Sequence, residues 1–217
     1  MENNELYYNL FKQDTISRTC IRDGGRDEVC KPYQIQIDFE SRSKLIEWLN
    51  ELVEIYKLQP ETLYIAVNMI DLYILKNVVP IGSYQLLAAT SLYTATKYNE
   101  TNYPALSEFI YLCDGLYSRS NFIEMEHNIL KFCHYSLSLI SYTTVAYAMI
   151  AKDNPPEDFV DYLINFSRKT LLTKGITLMK PTEVAKSILD LMENGFNVDP
   201  NDLLKKIKMY IVNAIKN

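Results

Sequence analysis

The chain has 217 residues, of which 48% are hydrophobic and 23% are charged, a composition typical of folded soluble proteins rather than of disordered ones. Its formal net charge of −5 disfavours a protein that holds nucleic acid through the phosphate backbone, because that mode of binding needs a basic surface. With only six glycines and eight prolines, long stretches lack helix breakers, so the composition favours an all-α protein over a turn-rich β fold.

Residues 1–38 are predicted to form a short helix followed by a linker. Apolar side chains recur at helical spacing over residues 4–13, whereas Gly24, Gly25 and Pro32 interrupt the stretch that follows. The first eight residues, MENNELYY, lack the basic start and the apolar core of a signal peptide. We therefore expect an intracellular protein, located in the nucleus, the cytoplasm or both.

Five helices are predicted in a first domain at residues 39–136. Pro60 and Pro104 lie where the first turn of a helix accepts a proline, and Ser118 or Ser120 can cap the last of the five. Stripes of apolar residues at helical spacing give the approximate extents. The predicted helices are 39–57, 60–76, 81–100, 104–112 and 118–133.

The third of these helices is predicted to be enclosed by the others. From Ile81 to Thr96 it carries no charged residue, and small side chains are frequent. A surface helix needs a polar face, so a helix that is apolar or small on every side belongs in the interior. It is too short and too rich in Gln, Ser and Thr to span a membrane. Charge returns at Lys97 and Glu100, and we expect a partner to be recognised at this end.

A second helical domain is predicted at residues 137–217. Pro155 and Pro156 open one of its helices, Pro181 opens another, and an Asp-Pro pair at residues 199–200 reads as the cap and first turn of a last one. The predicted helices are 143–151, 155–172, 181–192 and 199–217.

No motif of an enzyme or a cofactor site is present in the sequence. It contains no GxxxxGK[ST], GxGxxG, HExxH or GxSxG pattern. Glu124 and His127 lie close together in sequence but lack a third partner, which is typical of a helix surface. The four cysteines form no CxxC pair and there are only two histidines, so free thiols are expected rather than a metal site. We predict a non-enzymatic protein without metal or cofactor.

Three stretches of the first domain resemble the N-terminal box of cyclins, most closely of mitotic A- and B-type cyclins. They are YKLQPETLYIAVNMIDLYIL at 56–75, ATKYNE at 95–100 and YPALSEFIYLCDGLYSRSNFIEMEHNIL at 103–130. In the second domain, MKPTEVAKSIL at 179–189 is similar to the central helix of a second, shorter box. The resemblance implies two cyclin-box domains in tandem, each built around a central apolar helix.

Five positions mark the family's box: an Arg in its first helix, an Asp in the second, a Leu and a Lys at the two ends of the third, and a Glu in the fifth. The sequence has matching residues at all five, namely Arg42, Asp71, Leu86, Lys97 and Glu126. The resemblance implies that Arg42 and Asp71 form an internal ion pair between the first two helices. A buried charge must be paired in this way to be tolerated.

The resemblance also implies that Lys97 and Glu126 face a cyclin-dependent Ser/Thr kinase. Taken singly, each has a plainer explanation, because a lysine at a helix C-terminus complements the helix dipole and a glutamate is often simply solvated. The five matched positions together favour the kinase, and charges at the end of an uncharged helix are well placed to bind a partner's backbone. The apolar side chains expected to pack against the kinase beside these charges are Tyr98, Leu112 and Phe122.

The first helix departs from the family's pattern at a known docking groove. In cyclins that recruit substrates or inhibitors through this groove, the helix begins with MRAIL, whereas here Ser41 and Lys44 replace the Met and the Ile. Burying one aliphatic side chain contributes about 1.5–3 kcal/mol, so losing two weakens apolar docking. We predict a reduced or altered groove, although four of its positions match: Leu45, Trp48, Glu51 and Gln85.

The predicted function is that of a cyclin, a regulatory subunit that forms a heterodimer with a cyclin-dependent kinase and activates it in cell-cycle control, at G2/M. Neither nucleic acid nor membrane is an expected partner. One alternative is a transcription factor of the TFIIB type, which has tandem cyclin-like folds but needs a basic face to contact DNA. Another is a non-activating helical adaptor that keeps the cyclin shape but binds no kinase. A pull-down combined with a kinase assay separates these functions.

Overall fold

The computed structural model describes residues 39–137, 140–172, 176 and 180–193. Within these ranges every regular element is helical, which confirms the predicted all-α fold. The eight described α-helices are α1 (Phe39–Ile55), α2 (Pro60–Lys76), α3 (Tyr84–Asn99), α4 (Leu106–Leu112), α5 (Arg119–Phe132), α6 (Tyr142–Ile150), α7 (Glu157–Thr170) and α8 (Pro181–Glu193). The helices predicted at 4–13 and from 199 onwards lie outside the described residues.

The described residues divide into two compact units, 39–137 and 140–193. The predicted domain boundary after residue 136 stays a prediction, because the junction residues 138 and 139 are not described. Over the described ranges, no helix combines the length and the apolar character that crossing a membrane requires.

Local chemistry explains where the helices of the first unit begin and end. Pro60 occupies the first turn of α2, as predicted, and Ser118 rather than Ser120 caps α5, its Oγ accepting from the backbone N–H of Asn121 at 3.3 Å. Two predicted starts are too early. Ile81–Ser83 forms a separate 3-10 turn before α3, and α4 begins at Leu106 after an extended Ala105.

Helix α3 is the centre of the first unit, since α1, α2, α4 and α5 all contact it. Eleven of its sixteen residues are buried, from Tyr84 to Thr96. Ala88 and Ala89 are fully buried, and their small side chains let the neighbouring helices approach closely. Close packing of this kind is typical of protein interiors. The prediction of an enclosed third helix is confirmed.

In the second unit, α6 contacts both α7 and α8. Helix α8 contributes an apolar stripe, with Val184, Ala185 and Ile188 buried. Tyr142 of α6 is also buried, and its hydroxyl donates to the backbone oxygen of Ser167 at 2.9 Å while accepting from Thr170 Oγ1 at 2.6 Å. These bonds satisfy a polar group that would be costly to bury alone.

Candidate functional site

Lys97 and Glu126 meet at the surface of the first unit. Lys97 lies in the last turn of α3 and Glu126 lies in α5, and Nζ is 2.5 Å from Oε1. Their side chains are 32% and 17% exposed, so the pair is partly shielded from water yet reachable by another molecule. The structure thus brings together the two charges that the sequence singled out for partner binding.

An aromatic ring lies next to the Lys97 ammonium. Nζ is 4.5 Å from the centroid of the Tyr93 ring, which is within the range of a cation–π contact. The Tyr93 ring is itself held edge-on against Phe109 of α4, with 5.3 Å between centroids. Lys97 is therefore positioned from two sides, by the carboxylate of Glu126 and by the face of Tyr93.

A second group of polar contacts fixes the C-terminal end of α3, and the sequence did not indicate it. The Glu100 carboxylate accepts from the backbone N–H of Gln59 at 2.7 Å and from the hydroxyl of Thr62. Asn99 Nδ2 donates to Thr62 Oγ1 at 2.9 Å. Because Gln59 caps α2, the carboxylate also lies at the positive end of that helix. We call this group the Glu100 clasp, formed by Gln59, Thr62, Asn99 and Glu100.

The apolar residues predicted beside the charges do not all reach the surface. Tyr98 is 52% exposed and Leu112 is half-buried, but Phe122 is only 1% exposed and packs edge-on against Tyr117. The assignment of Phe122 to a partner surface was therefore wrong in this structure, because its side chain belongs to the core. Ile123, which is 52% exposed and lies three residues before Glu126 on the same helix face, was missed.

Arg42 and Asp71 form a bidentate ion pair between α1 and α2. Arg42 Nε is 2.9 Å from Asp71 Oδ1, and Arg42 Nη2 is 2.7 Å from Asp71 Oδ2. Both residues are 6% exposed. The structure thus places these two residues in the contact that the resemblance implied. The pKa of the nearby Tyr84 hydroxyl is raised to about 12. Burial is the largest cause, the charge of Asp71 raises the pKa further, and the charge of Arg42 lowers it. The site of this ion pair is structural rather than a surface for a partner.

The residues of the predicted docking groove lie on α1 and in the first turn of α3, two helices that contact each other. The Lys44 side chain is exposed and pairs with Glu40, one turn earlier, at 2.7 Å. A cation therefore stands where the family's groove has an aliphatic contact. Among the remaining groove residues, Glu51 is exposed, whereas the half-buried ones are Ser41, Leu45, Trp48 and Gln85.

Two further observations concern the titratable groups of the described residues. No group of three or more His, Cys, Asp or Glu residues in these ranges is arranged to hold a metal ion. Cys113 is buried, and burial followed by the charge of Asp114 raises the pKa of its thiol to about 11. A thiol in this environment stays protonated and unreactive at neutral pH.

Sequence and fold similarity to known proteins place the chain in a family. Residues 15–138 match the family model described as "Cyclin, N-terminal domain", a match that begins ahead of the predicted start of the box at residue 39. The G2/mitotic-specific cyclin-3 of Saccharomyces cerevisiae is 39% identical over 104 residues, which is 48% of this chain and 24% of that protein. Cyclin-A2-1 of Arabidopsis thaliana is 33% identical over 192 residues, which is 85% of this chain and 43% of that protein.

The chain therefore spans less than half of the length of these two relatives. Among solved structures, the X-ray structure of a viral cyclin from herpesvirus saimiri superposes with a TM-score of 0.69 at 19% sequence identity, covering 92% of this chain and 89% of that one. At this identity the likeness concerns the fold, which is the cyclin-box fold. Since the family model also matches more than half of the sequence, the chain belongs to the cyclin family.

Proposed function

We propose that the protein is the regulatory subunit of a cyclin-dependent Ser/Thr kinase, which it binds and activates. The observation that carries the proposal is the partly exposed Lys97–Glu126 pair at the end of the mostly buried α3. Cyclins are regulatory proteins, and the membership of the chain in this family supports a role of the pair in binding a kinase. A matched lysine and glutamate offer donors and an acceptor to the backbone of a partner helix.

In this proposal, the surface activates the kinase by holding its αC helix in the active position. A protein kinase becomes active when a glutamate of its αC helix pairs with the lysine that binds ATP. By binding the inward position of that helix more tightly than the outward one, the cyclin shifts the population to the active state. In this proposal Lys97 and Glu126 bind the ends and the adjoining backbone of the kinase helix.

Apolar side chains around the pair extend the proposed interface. Tyr98 follows Lys97 directly, and Ile123 lies one turn from Glu126 on α5. Leu112 contributes from the end of α4, where it is half-buried. Tyrosine is enriched at protein interfaces, and well-packed side chains around a polar contact exclude water from it.

The same complex is proposed to act in cell-cycle control at G2/M, in the nucleus, the cytoplasm or both. Support comes from the relatives, one of which is named a G2/mitotic-specific cyclin. Recruitment of substrates or inhibitors through the α1 groove is proposed to be weak, because the exposed Lys44 replaces an apolar contact of that groove.

The test is to purify the full chain with the kinase it retains from cells, and then to measure binding and kinase activity with purified components. Lys97→Ala/Glu126→Ala is expected to weaken binding by about tenfold or more, because truncating hydrogen-bonded interface charges costs 2 kcal/mol or more. Glu124→Ala/Lys131→Ala, which removes an exposed acid and an exposed base from α5, is the matched control.

Three outcomes separate the possibilities. Loss of both binding and activation in the site variant, with a control like the wild type, supports the proposal. A wild-type chain that binds no kinase, or that binds one without activating it, is a non-activating helical adaptor. Full binding and activation by Lys97→Ala/Glu126→Ala contradicts the assignment of the site.

A further inference from the structure

We propose that Thr94 is a positioning residue of the kinase-binding site, whose hydroxyl fixes the carboxylate of Glu126 before the kinase arrives; this rests on the function proposed above. Thr94 is a buried residue of α3, 3% exposed. Its Oγ1 donates a hydrogen bond of 2.9 Å to Glu126 Oε1, across the contact between α3 and α5.

The direction of this hydrogen bond is unusual for a threonine inside a helix. Such hydroxyls commonly bond to a backbone oxygen three or four residues earlier in the same helix. Thr96, two residues along, does this and donates to the backbone oxygen of Tyr93 at 2.7 Å. Thr94 instead directs its hydroxyl to a carboxylate that is 32 residues away in sequence.

Glu126 receives its two described contacts at one oxygen. Thr94 Oγ1 and Lys97 Nζ lie 2.9 and 2.5 Å from the same oxygen, Oε1. With both of these donors on Oε1, Oε2 is the oxygen assigned in this proposal to accept from a partner's backbone. The hydroxyl therefore selects both the orientation of the carboxylate and the oxygen that meets the kinase.

A fixed carboxylate contributes to binding because less side-chain freedom is lost when the complex forms. Glutamate has a flexible side chain, and ordering such a side chain when the complex forms lowers the affinity. Removing the Thr94 hydroxyl without changing its shape is therefore expected to weaken kinase binding several-fold, while Lys97 and Glu126 are still present.

The experiment compares Thr94→Val with Thr94→Ser, using the full chain and the purified kinase that it retains from cells. Valine keeps the shape and removes the hydroxyl, and we expect a three- to tenfold higher Kd. Serine restores the hydroxyl and is expected to return the Kd to within twofold of the wild type. Thr90→Val is the matched control, because Thr90 lies one turn earlier, is fully buried and has no hydrogen bond to its hydroxyl.

A double-mutant cycle separates positioning from a general effect on the fold. In the Glu126→Ala background, Thr94→Val is expected to leave the Kd unchanged, because the carboxylate that it positions is gone. In the free chain, NMR signals of the Glu126 side chain are expected to shift and to report greater mobility in Thr94→Val, but not in Thr94→Ser. This second readout needs no kinase and remains informative if one variant is poorly stable.

The inference is overturned if Thr94→Val binds like the wild type, or if it weakens binding equally in the Glu126→Ala background. In either case the proposed function stands as long as Lys97→Ala/Glu126→Ala still loses the kinase. Failure of the wild-type chain to bind any kinase, or full binding by that double variant, overturns the proposed function and the inference with it.

Discussion

At the scale of single residues, the first unit contains an ion pair that is largely shielded from water. The guanidinium of Arg42 meets the carboxylate of Asp71 through two bonds, of 2.9 and 2.7 Å, in a region where both residues are buried. Desolvating two ions is expensive, and the pair offsets that cost only while both partners are present. The contribution of this ion pair to stability is therefore measurable mainly when one partner is removed.

Replacing Asp71 by Asn is expected to destabilise the protein by about 3–5 kcal/mol, because the buried Arg42 guanidinium then loses the carboxylate that it meets through two bonds. Arg42→Met/Asp71→Leu removes both charges and is expected to recover most of this loss. Urea denaturation followed by circular dichroism measures the free energy of unfolding for each variant.

The exposed ion pair of Glu40 and Lys44, both on α1, is the control for this experiment. Glu40 and Lys44 are also 2.7 Å apart, but their side chains are 73% and 71% exposed. Removing that pair is expected to cost less than about 1 kcal/mol. Equal effects of the two ion pairs, or a double variant that is no better than Asp71→Asn, would contradict a role for burial.

At the scale of helices, contacts between distant chain segments determine which residues of a helix face the core. The spacing of apolar residues alone does not determine this. The predicted helices of the described ranges are present because apolar stripes and breakers are local signals. The assignment of Phe122 failed because Phe122 and Ile123 are both apolar, and only packing against Tyr117 shows which one is buried. A sequence pattern that places a helix does not fix its rotation to within one residue.

The Glu100 clasp gives a prediction at this scale. Glu100→Ala removes acceptors from the Gln59 N–H and the Thr62 hydroxyl and is expected to cost about 1–3 kcal/mol of stability. Hydrogen exchange of the Gln59 amide is expected to accelerate, since its acceptor is lost. Calorimetry measures the stability, and exchange followed by NMR measures the local opening.

Glu47→Ala provides the comparison, because Glu47 is an exposed glutamate of α1. A change within about 0.5 kcal/mol is expected there. If Glu100→Ala resembles Glu47→Ala in stability and leaves the exchange of Gln59 unchanged, the carboxylate does not fasten α3 to α2.

At the scale of the whole molecule, the sequence predicted the fold class better than it predicted the site. The uncharged stretch from Ile81 to Thr96 and the matched set of box residues led to the cyclin fold, because both can be read from residue types and their spacing along the chain. The clasp and the hydrogen bond from Thr94 were missed, since their partners are 32 to 41 residues apart. Contacts over such distances exist only once the helices are assembled.

For the proposed kinase complex, the α1 groove predicts a choice of substrates that depends only weakly on apolar docking. With Lys44 exposed and paired to Glu40, an apolar segment of a substrate meets a cation instead of an aliphatic side chain. We expect the complex of the chain with its kinase to phosphorylate a peptide with an apolar docking segment and the same peptide without it at similar kcat/KM, within about threefold.

Restoring the family's residues is expected to create this preference. Ser41→Met/Lys44→Ile adds two aliphatic side chains, each contributing about 1.5–3 kcal/mol when buried, so partial burial is enough to raise kcat/KM for the docking peptide by about tenfold. Ser120→Met/Lys131→Ile makes the same changes at exposed positions of α5 and is expected to leave the ratio unchanged. Strong discrimination by the wild-type complex, or no gain in the restored variant, would show that Ser41 and Lys44 do not set the chemistry of docking. The gain must appear in KM rather than in kcat, because docking takes place away from the reacting phosphate and adds the same binding energy to the ground state and the transition state.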